Sequence, residues 1–259
     1  MDGQDVSNDG RSSLSVMERT FEIVEHLTAV EETGVTELAN QLNIPKTTAH
    51  SYLKTLENTG YAINQDGRYR LSLRILLHGG QLRHSFSLFQ TGRAEVDRLA
   101  RETGEAVNLG VHEDGERVII YGSEGENAIW DDVPVGSRTP LNLTAMGKAM
   151  LAFRSDEFVE DFVEEHGLAK TTKHSITDQG KLFEDLEATR QREYSIESEE
   201  HIVGVRAFGV PVRKNTGEVI GAMSVAGPNS RLASRDTEEK LVERLKEAVN
   251  IVELQHEQR

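Results

Sequence analysis

Between Leu42 and Tyr61 the chain reads "LNIPKTTAHSYLKTLENTGY", and the polar residues in it are of an unusual type for an acidic protein. Lys46, Thr47, Thr48, His50, Ser51 and Lys54 stand close together with no acid among them. Small hydroxyls, an imidazole and two ammonium groups can approach base edges and phosphate oxygens, where carboxylates would be repelled. Placed at 100° steps on a helix, Thr47, Ser51, Lys54 and Asn58 share one side, and Ala49, Tyr52, Leu53 and Leu56 share the other. Such a helix has the chemistry of a DNA-reading element. The alternative is an ordinary solvated face on a small helical domain.

The flanking segments fit the first reading. Ser15 with Glu18 forms a capping box, and Met17, Phe21, Val24 and Leu27 follow as the apolar stripe of a first helix. Thr36 can cap a second helix with Leu38, Ala39 and Leu42 inward, and Pro45 suits the first turn of the third. After Gly60, "YAINQDGRYRLS" alternates on both sides of Asp66-Gly67, a strong hairpin signal. Arg68 and Arg70 on that hairpin can reach the DNA backbone or the flanking minor groove. Three helices followed by a hairpin is the plan of a winged helix-turn-helix.

Composition sets limits on the rest. With 37% hydrophobic and 28% charged residues in 259, the chain reads as a soluble globular protein. It has no apolar run of membrane-spanning length, and "MDGQDVSNDGRSS" lacks the apolar core of a signal peptide, so that tail is expected to be disordered. The absence of cysteine excludes disulfides, thiolate metal sites and a cysteine nucleophile, and a cytoplasmic location is the simple expectation. A net charge of −15 at first argues against a polyanionic partner. The charge is unevenly placed, however: residues 11–90 hold eight bases and eight acids, whereas 91–259 hold 21 bases and 33 acids. Acid excess with sparse lysine fits a source living in high salt, or an ordinary acidic cytosolic protein.

Beyond the hairpin, residues 75–103 read as helical, loosened at Gly79-Gly80, with Leu82, Phe86 and Phe89 free to pack on a partner chain or a second domain. "AVNLGVHEDGERVIIYGSEG" is a hairpin through Asp114-Gly115, and "VRAFGVPVRKNTGEVIGAMSVAGP" is a second one turning at Asn215-Thr216-Gly217. "TAMGKAMLAF", "DEFVEDFVEEHG" and "KLFEDLEATRQRE" are helices, and Thr237 to Gln255 is a long amphipathic helix with Leu241, Leu245, Val249 and Val252 on one face. Antiparallel strands with interspersed helices give an α+β class.

No enzyme signature is present. "MGKAM" has Asn142 where a phosphate loop needs glycine and Ala149 where it needs a hydroxyl, and "YGSEG" lacks the spacing of a nucleophile elbow. "EEHG" and "EEHI" lack the paired histidines of a zinc helix; His112 with Glu197 or His201 is the remaining metal candidate, and "HEDG" reads more simply as a turn. No cofactor and no metal are expected.

Seven blocks, in order, resemble the IclR family of transcription regulators from about Leu14 to the last helix. They are "MERTFEIVEHL", "ELANQLNIPKTTAHSYLKTLENTGY", "GRYRLS", "ETGEAVNLGVHEDGERVIIY", "VGSRTPLNLTAMGKAMLA", "REYSIESEEHIVGVRAFGVPV" and "IGAMSVAGP". The resemblance implies a tail (1–12), a winged helix-turn-helix domain (13–74), a linker helix (75–90) and a GAF-like effector-binding and oligomerisation domain (91–259). It implies homodimers or homotetramers on palindromic double-stranded promoter DNA, controlled by a small-molecule effector.

Carried onto this chain, the resemblance puts Ala145 and Met146 at the ligand, Glu197 as its polar anchor with Val205 and Ala207 beside it, and Ser224 and Ala226 on a neighbouring strand. Asp131 and Thr139 stand where relatives that bind keto acids have apolar side chains. Ala207 and Ala226 replace groups that would donate to a short carboxylate, and Glu197 and Asp131 would repel an anion unless Arg138 or Arg206 compensates. A sugar, sugar acid or other small organic acid governing a catabolic operon is the expected effector. Three alternatives stay open: Glu197 on a solvent-facing turn, a second domain that only oligomerises an architectural DNA-binding protein, and an enzyme on a GAF-like scaffold.

Overall fold

The structure is a computed structural model that describes residues 9–128 and 133–258, with side chains from Ser15 onward. The chain separates between Leu82 and Arg83 into two compact units. No described helix is long and apolar enough to cross a membrane.

The first unit contains α1 (Asp9–Ala29), β1 (Thr33–Gly34), α2 (Val35–Gln41), α3 (Lys46–Asn58), β2 (Ala62–Gln65), β3 (Arg68–Leu71) and most of α4 (Arg74–Ser85). Its small core gathers Ile23, Leu27, Leu38, Ala39, Ala49, Leu53, Leu56, Ala62 and Tyr69, with Tyr52, Val24 and Leu42 packed at the margin. The inward side of α3 is therefore the expected one. The stripe on α1 is so only in its second half: Val24 and Leu27 join the core, whereas Met17 and Phe21 are 61% and 63% exposed and Ile23 is fully buried. α1 begins at Asp9 instead of being capped at Ser15, and only its last turns reach the core.

α2 starts at Gly34, whose N–H donates to Glu37 at 3.0 Å, instead of at Thr36. Asp66 (φ 52°) and Gly67 (φ 84°) make the two-residue hairpin turn, whose right-handed strand twist demands positive φ at both positions. The short strand β1 is an addition that the sequence does not announce. Thr33 pairs with Tyr69 and Gly34 with Arg68, so the sheet order is β1-β3-β2.

The expected single helix over 75–103 is two helices, α4 and α5 (Ser87–Thr103). The break falls at Phe86 and not at the glycine pair. Phe86 takes an extended backbone (φ −73°, ψ 114°) and packs its ring on the core of the second unit, which a continuous helix would not allow.

The second unit continues with β4 (Ala106–Glu113), β5 (Glu116–Glu124), β6 (Arg138–Pro140), a 3-10 turn (Leu141–Leu143), α6 (Ala145–Ala152), α7 (Asp156–His166) and α8 (Gln179–Arg192). It ends with β7 (Ser195–Ser198), β8 (Val205–Arg213), β9 (Val219–Pro228), α9 (Asn229–Leu232) and α10 (Arg235–Glu257). The described strands form an antiparallel sheet in the order β6-β5-β4-β9-β8-β7.

Strand alternation divides the work of the two faces. Val107, Leu109 and Val111 on β4, Phe208, Val210 and Val212 on β8, and Met223 and Val225 on β9 pack with α5 and α10. Leu241, Leu245, Val249 and Val252 of α10 join that core, as their spacing predicts. A second core lies among α6, α7 and α8, where Met150, Leu151, Val159, Phe162, Leu182 and Leu186 meet Ile119, Val219 and Ala222. Gly209 permits the approach of α6 to the sheet, since a Cβ there would lie 2.5 Å from the Ala145 carbonyl oxygen.

Candidate effector site and nucleic-acid interface

The strand positions left over by the first core form the floor of a cavity. Ala106, Ala226, Ala207 and Glu197 lie in one register row across β4, β9, β8 and β7. Asn108, Ser224, Gly209 and Ser195 form the next row. The cavity, about 310 Å³, is closed by Ala145 and Met146 at the start of α6, by Thr139 of β6, and by Arg117 on β5. Thr144 caps α6, accepting the Gly147 N–H at 3.0 Å, and the N-terminal end of that helix, with its partial positive charge, borders the cavity.

The two ionisable walls differ in chemistry. Glu197, 3% exposed, accepts the backbone N–H of Glu200 at 2.7 Å and of His201 at 3.2 Å through Oε1. Burial, only partly offset by those two donors, pushes its carboxyl up to about 7. Arg117, 7% exposed, donates Nη2 to Thr139 Oγ1 at 2.9 Å, while its Nε and Nη1 have no partner among the described residues. Loss of water alone brings its guanidinium down to about 10, so it stays charged at neutral pH. His201 also lines the cavity, with a buried Nδ1 that has no partner among the described residues; burial and the nearby Arg117 charge hold it below the usual histidine range, which favours the neutral ring.

Of the residues expected at the ligand, Thr139, Ala145, Met146, Glu197, Val205, Ala207, Ser224 and Ala226 all line this one cavity. Asp131 lies outside the described residues. The solvent-facing alternative for Glu197 is overturned by its burial. Neither expected counter-cation serves the site: Arg138 binds Glu113 at 2.6 Å and Glu116 at 2.5 Å, and Arg206 binds Glu238 at 2.9 Å. The cation at the cavity is Arg117, which sequence reasoning missed together with Asn108, Thr144, Ser137 and His201. Parity would have found Arg117, because it shares a strand face with buried Ile119 just after a recognised turn. The metal candidate also dissolves. His112 Nε2 accepts the Gly115 N–H at 3.1 Å and its ring packs edge-on against Phe158.

In the first unit, α3 presents Lys46, Thr47, His50, Ser51 and Lys54 to solvent, with Thr48 half-buried beside them. Ser51 Oγ donates to the Thr47 carbonyl at 2.9 Å, which leaves its oxygen lone pairs outward as acceptors. The cations are more committed than composition suggests. Lys54 pairs with Glu57 at 3.1 Å, and Arg68 with Glu32 at 2.9 Å and Glu37 at 2.7 Å. Arg68 thereby ties β3 to the start of α2. Arg70 is half-buried, and Arg74 donates to the Thr59 carbonyl at 2.6 Å over the Tyr61 ring.

Comparison with known proteins agrees with this architecture. Residues 16–66 match the family description "IclR helix-turn-helix domain", and residues 81–253 match "Bacterial transcriptional regulator IclR C-terminal". The chain is 31% identical to "Probable HTH-type transcriptional regulator ArcR" of Halobacterium salinarum, over 99% of each chain. Among solved structures, the IclR of Thermotoga maritima superposes with a TM-score of 0.84 at 25% identity, covering 94% of this chain and 99% of that one. An IclR homologue from Microbacterium hydrocarbonoxydans, complexed with 4-hydroxybenzoate, superposes with a TM-score of 0.74 at 23% identity, covering 88% and 92%. Helix-turn-helix unit, curved antiparallel sheet and full-length identity together place this chain in the IclR family of DNA-binding transcriptional regulators.

Proposed function

We propose that this protein controls a catabolic operon in response to a small hydroxylated carboxylate, a sugar acid or a related organic acid, bound in the second unit. The observation that carries the reading is the pairing in one cavity of a charged, incompletely partnered Arg117 with a buried Glu197. A buried guanidinium with no counter-charge among the described residues is costly, and a ligand carboxylate would supply that charge. Glu197, Ser224 and neutral His201 suit hydroxyls, as acceptors or two-way partners. A neutral sugar would bring Arg117 no counter-charge, and a short keto acid would offer Glu197 no hydroxyl. The 4-hydroxybenzoate carried by the Microbacterium homologue also joins a hydroxyl to a carboxylate, which supports the class.

On the DNA side, two copies of α3 read two half-sites, with Thr47, Thr48, His50 and Ser51 at base edges and Lys46 and Lys54 at phosphates. Arg68 serves as a brace for the wing, and Arg70 is the hairpin cation left to approach the backbone. Exposed Met17 and Phe21 on α1 and Leu76, Leu77 and Leu82 on α4 support self-association as a homodimer or homotetramer.

The test is calorimetry and operator-binding anisotropy with D-gluconate, D-glucose and pyruvate at constant ionic strength. D-gluconate is expected to bind and to change operator affinity. Arg117→Met should weaken that binding by at least about 30-fold, the scale for truncating one partner of a buried charge pair, and should raise the melting temperature of the ligand-free protein. Preference for D-glucose, or a large fall in melting temperature in Arg117→Met, would overturn the carboxylate assignment. DNA binding that no metabolite alters would favour the architectural reading instead.

A further inference from the structure

Lys148 is the largest fully buried side chain among the described residues, and the recognition chemistry described above does not use it. It projects from α6, the helix whose first residues line the cavity, and its side chain is 1% exposed. Its Nζ lies 2.6 Å from Glu200 Oε1 and 3.1 Å from Asp185 Oδ2 of α8. Glu200 is the residue whose backbone N–H holds Glu197 in place. Burial raises the Glu200 carboxyl above the usual carboxylate range, and the Lys148 ammonium group offsets that only in part.

The turn bearing Glu200 is held from other sides as well. Glu199 sits in the left-handed region (φ 61°), and its carboxylate accepts Asn229 Nδ2 at 2.6 Å. The carbonyls of Glu199, Glu200 and His201 accept hydroxyls from Thr172 at 2.6 Å, Ser175 at 2.6 Å and Thr171 at 2.8 Å. Those hydroxyls lie on the segment between α7 and α8, which Asn142 fastens through the carbonyls of Ala169 and Ile176.

We infer that Lys148 and Glu200 form a positioning pair for the effector site, fixing the turn that aims Glu197 and tying that wall of the cavity to α6. The inference rests on the reading of the cavity as the effector site. Neither residue lines the cavity; both act through Glu197. An interior ion pair is seldom retained for stability alone, because its desolvation offsets most of its attraction. Here its two ends sit behind two different walls of one cavity, so a short contact ties those walls together. The three hydroxyls from the α7–α8 segment hold the turn's carbonyls, while Lys148 holds the buried carboxylate of Glu200.

The test uses the full-length protein and amide hydrogen exchange at His201, whose N–H is donated to Glu197, with the amide of Phe208 in the sheet as the reference. Glu200→Ala and Lys148→Met are expected to speed exchange at His201 on the order of tenfold or more relative to Phe208. Glu200→Gln, which keeps an acceptor for the ammonium, is expected to restore it. D-gluconate affinity should fall in the first two variants and recover in the third. Unchanged exchange at His201 in Glu200→Ala would overturn the inference, and so would equal acceleration at His201 and Phe208, which marks a general stability role. A Glu197→Gln variant with unaltered D-gluconate binding would instead count against the effector reading, while the exchange data still decide the positioning role.

Discussion

Replacing Glu197 by glutamine tests the electrostatics of the cavity without any ligand. Glutamine keeps a carbonyl oxygen to accept the Glu200 and His201 N–H groups, and removes only the ionisation. In the folded protein the carboxyl titrates near 7, against 4.5 for the free side chain. The folded state therefore holds its proton at pH values where the unfolded chain has released it. Its contribution to stability is full below about pH 4.5 and is lost as the pH rises through about 7.

That displacement corresponds to about 3 kcal/mol. For a unit of this size, such a change moves the melting temperature by roughly 6–12 °C. The variant should accordingly melt well above the wild type at about pH 8, and the gap should narrow steadily toward about pH 5. Differential scanning calorimetry across that range, with salt held constant, is the assay. A variant that melts below the wild type at the alkaline end, or a gap independent of pH, would refute the reasoning and indicate that Glu197 is ionised and well paired.

Three further outcomes follow from the contacts described. Lys148→Met strands the Glu200 carboxylate in the interior and should cost about 3–5 kcal/mol in thermal melts, with Glu200→Gln added in the same chain recovering much of it. Lys54→Ala should reduce the slope of operator affinity against salt by about 1, while Thr48→Ala should relax sequence preference with little change in slope; fluorescence anisotropy on operator and scrambled duplexes separates the two. Arg68→Ala should release Glu32 and Glu37 and speed amide exchange along β3, leaving the second unit unaffected.

Periodic features were readable from the residues alone. The inward face of α3, both long hairpins and the buried stripe of α10 follow from alternation and helical spacing, and the turns at Asp66-Gly67 and Asp114-Gly115 carry the positive φ that such pairs supply. What escaped lacks a period. β1 is two residues long, and β6 and β7 are three and four. The break at Phe86 is set by what its ring packs against, not by local propensity, which would have placed it at the glycines. At the site, the family pattern located the floor and Glu197. Arg117 was passed over because an arginine beside a turn is ordinarily solvated; its shared strand face with Ile119 was the sequence signal for it, and in the folded sheet β6 pairs beside it. Arg138 and Arg206 failed for the converse reason: nearby carboxylates had already claimed them.

The floor of the cavity has a consequence for how such a regulator changes its signal. Even-numbered positions of β4 and β9 and odd-numbered positions of β8 line the cavity proposed to take the effector, while neighbouring positions on each strand build the hydrophobic interior. Mutations that retune recognition thus fall on side chains that carry little of the folding free energy, many of them bare methyl groups. A lineage could exchange one metabolite for another by editing every second residue, with the scaffold and its DNA-reading partner unit left intact.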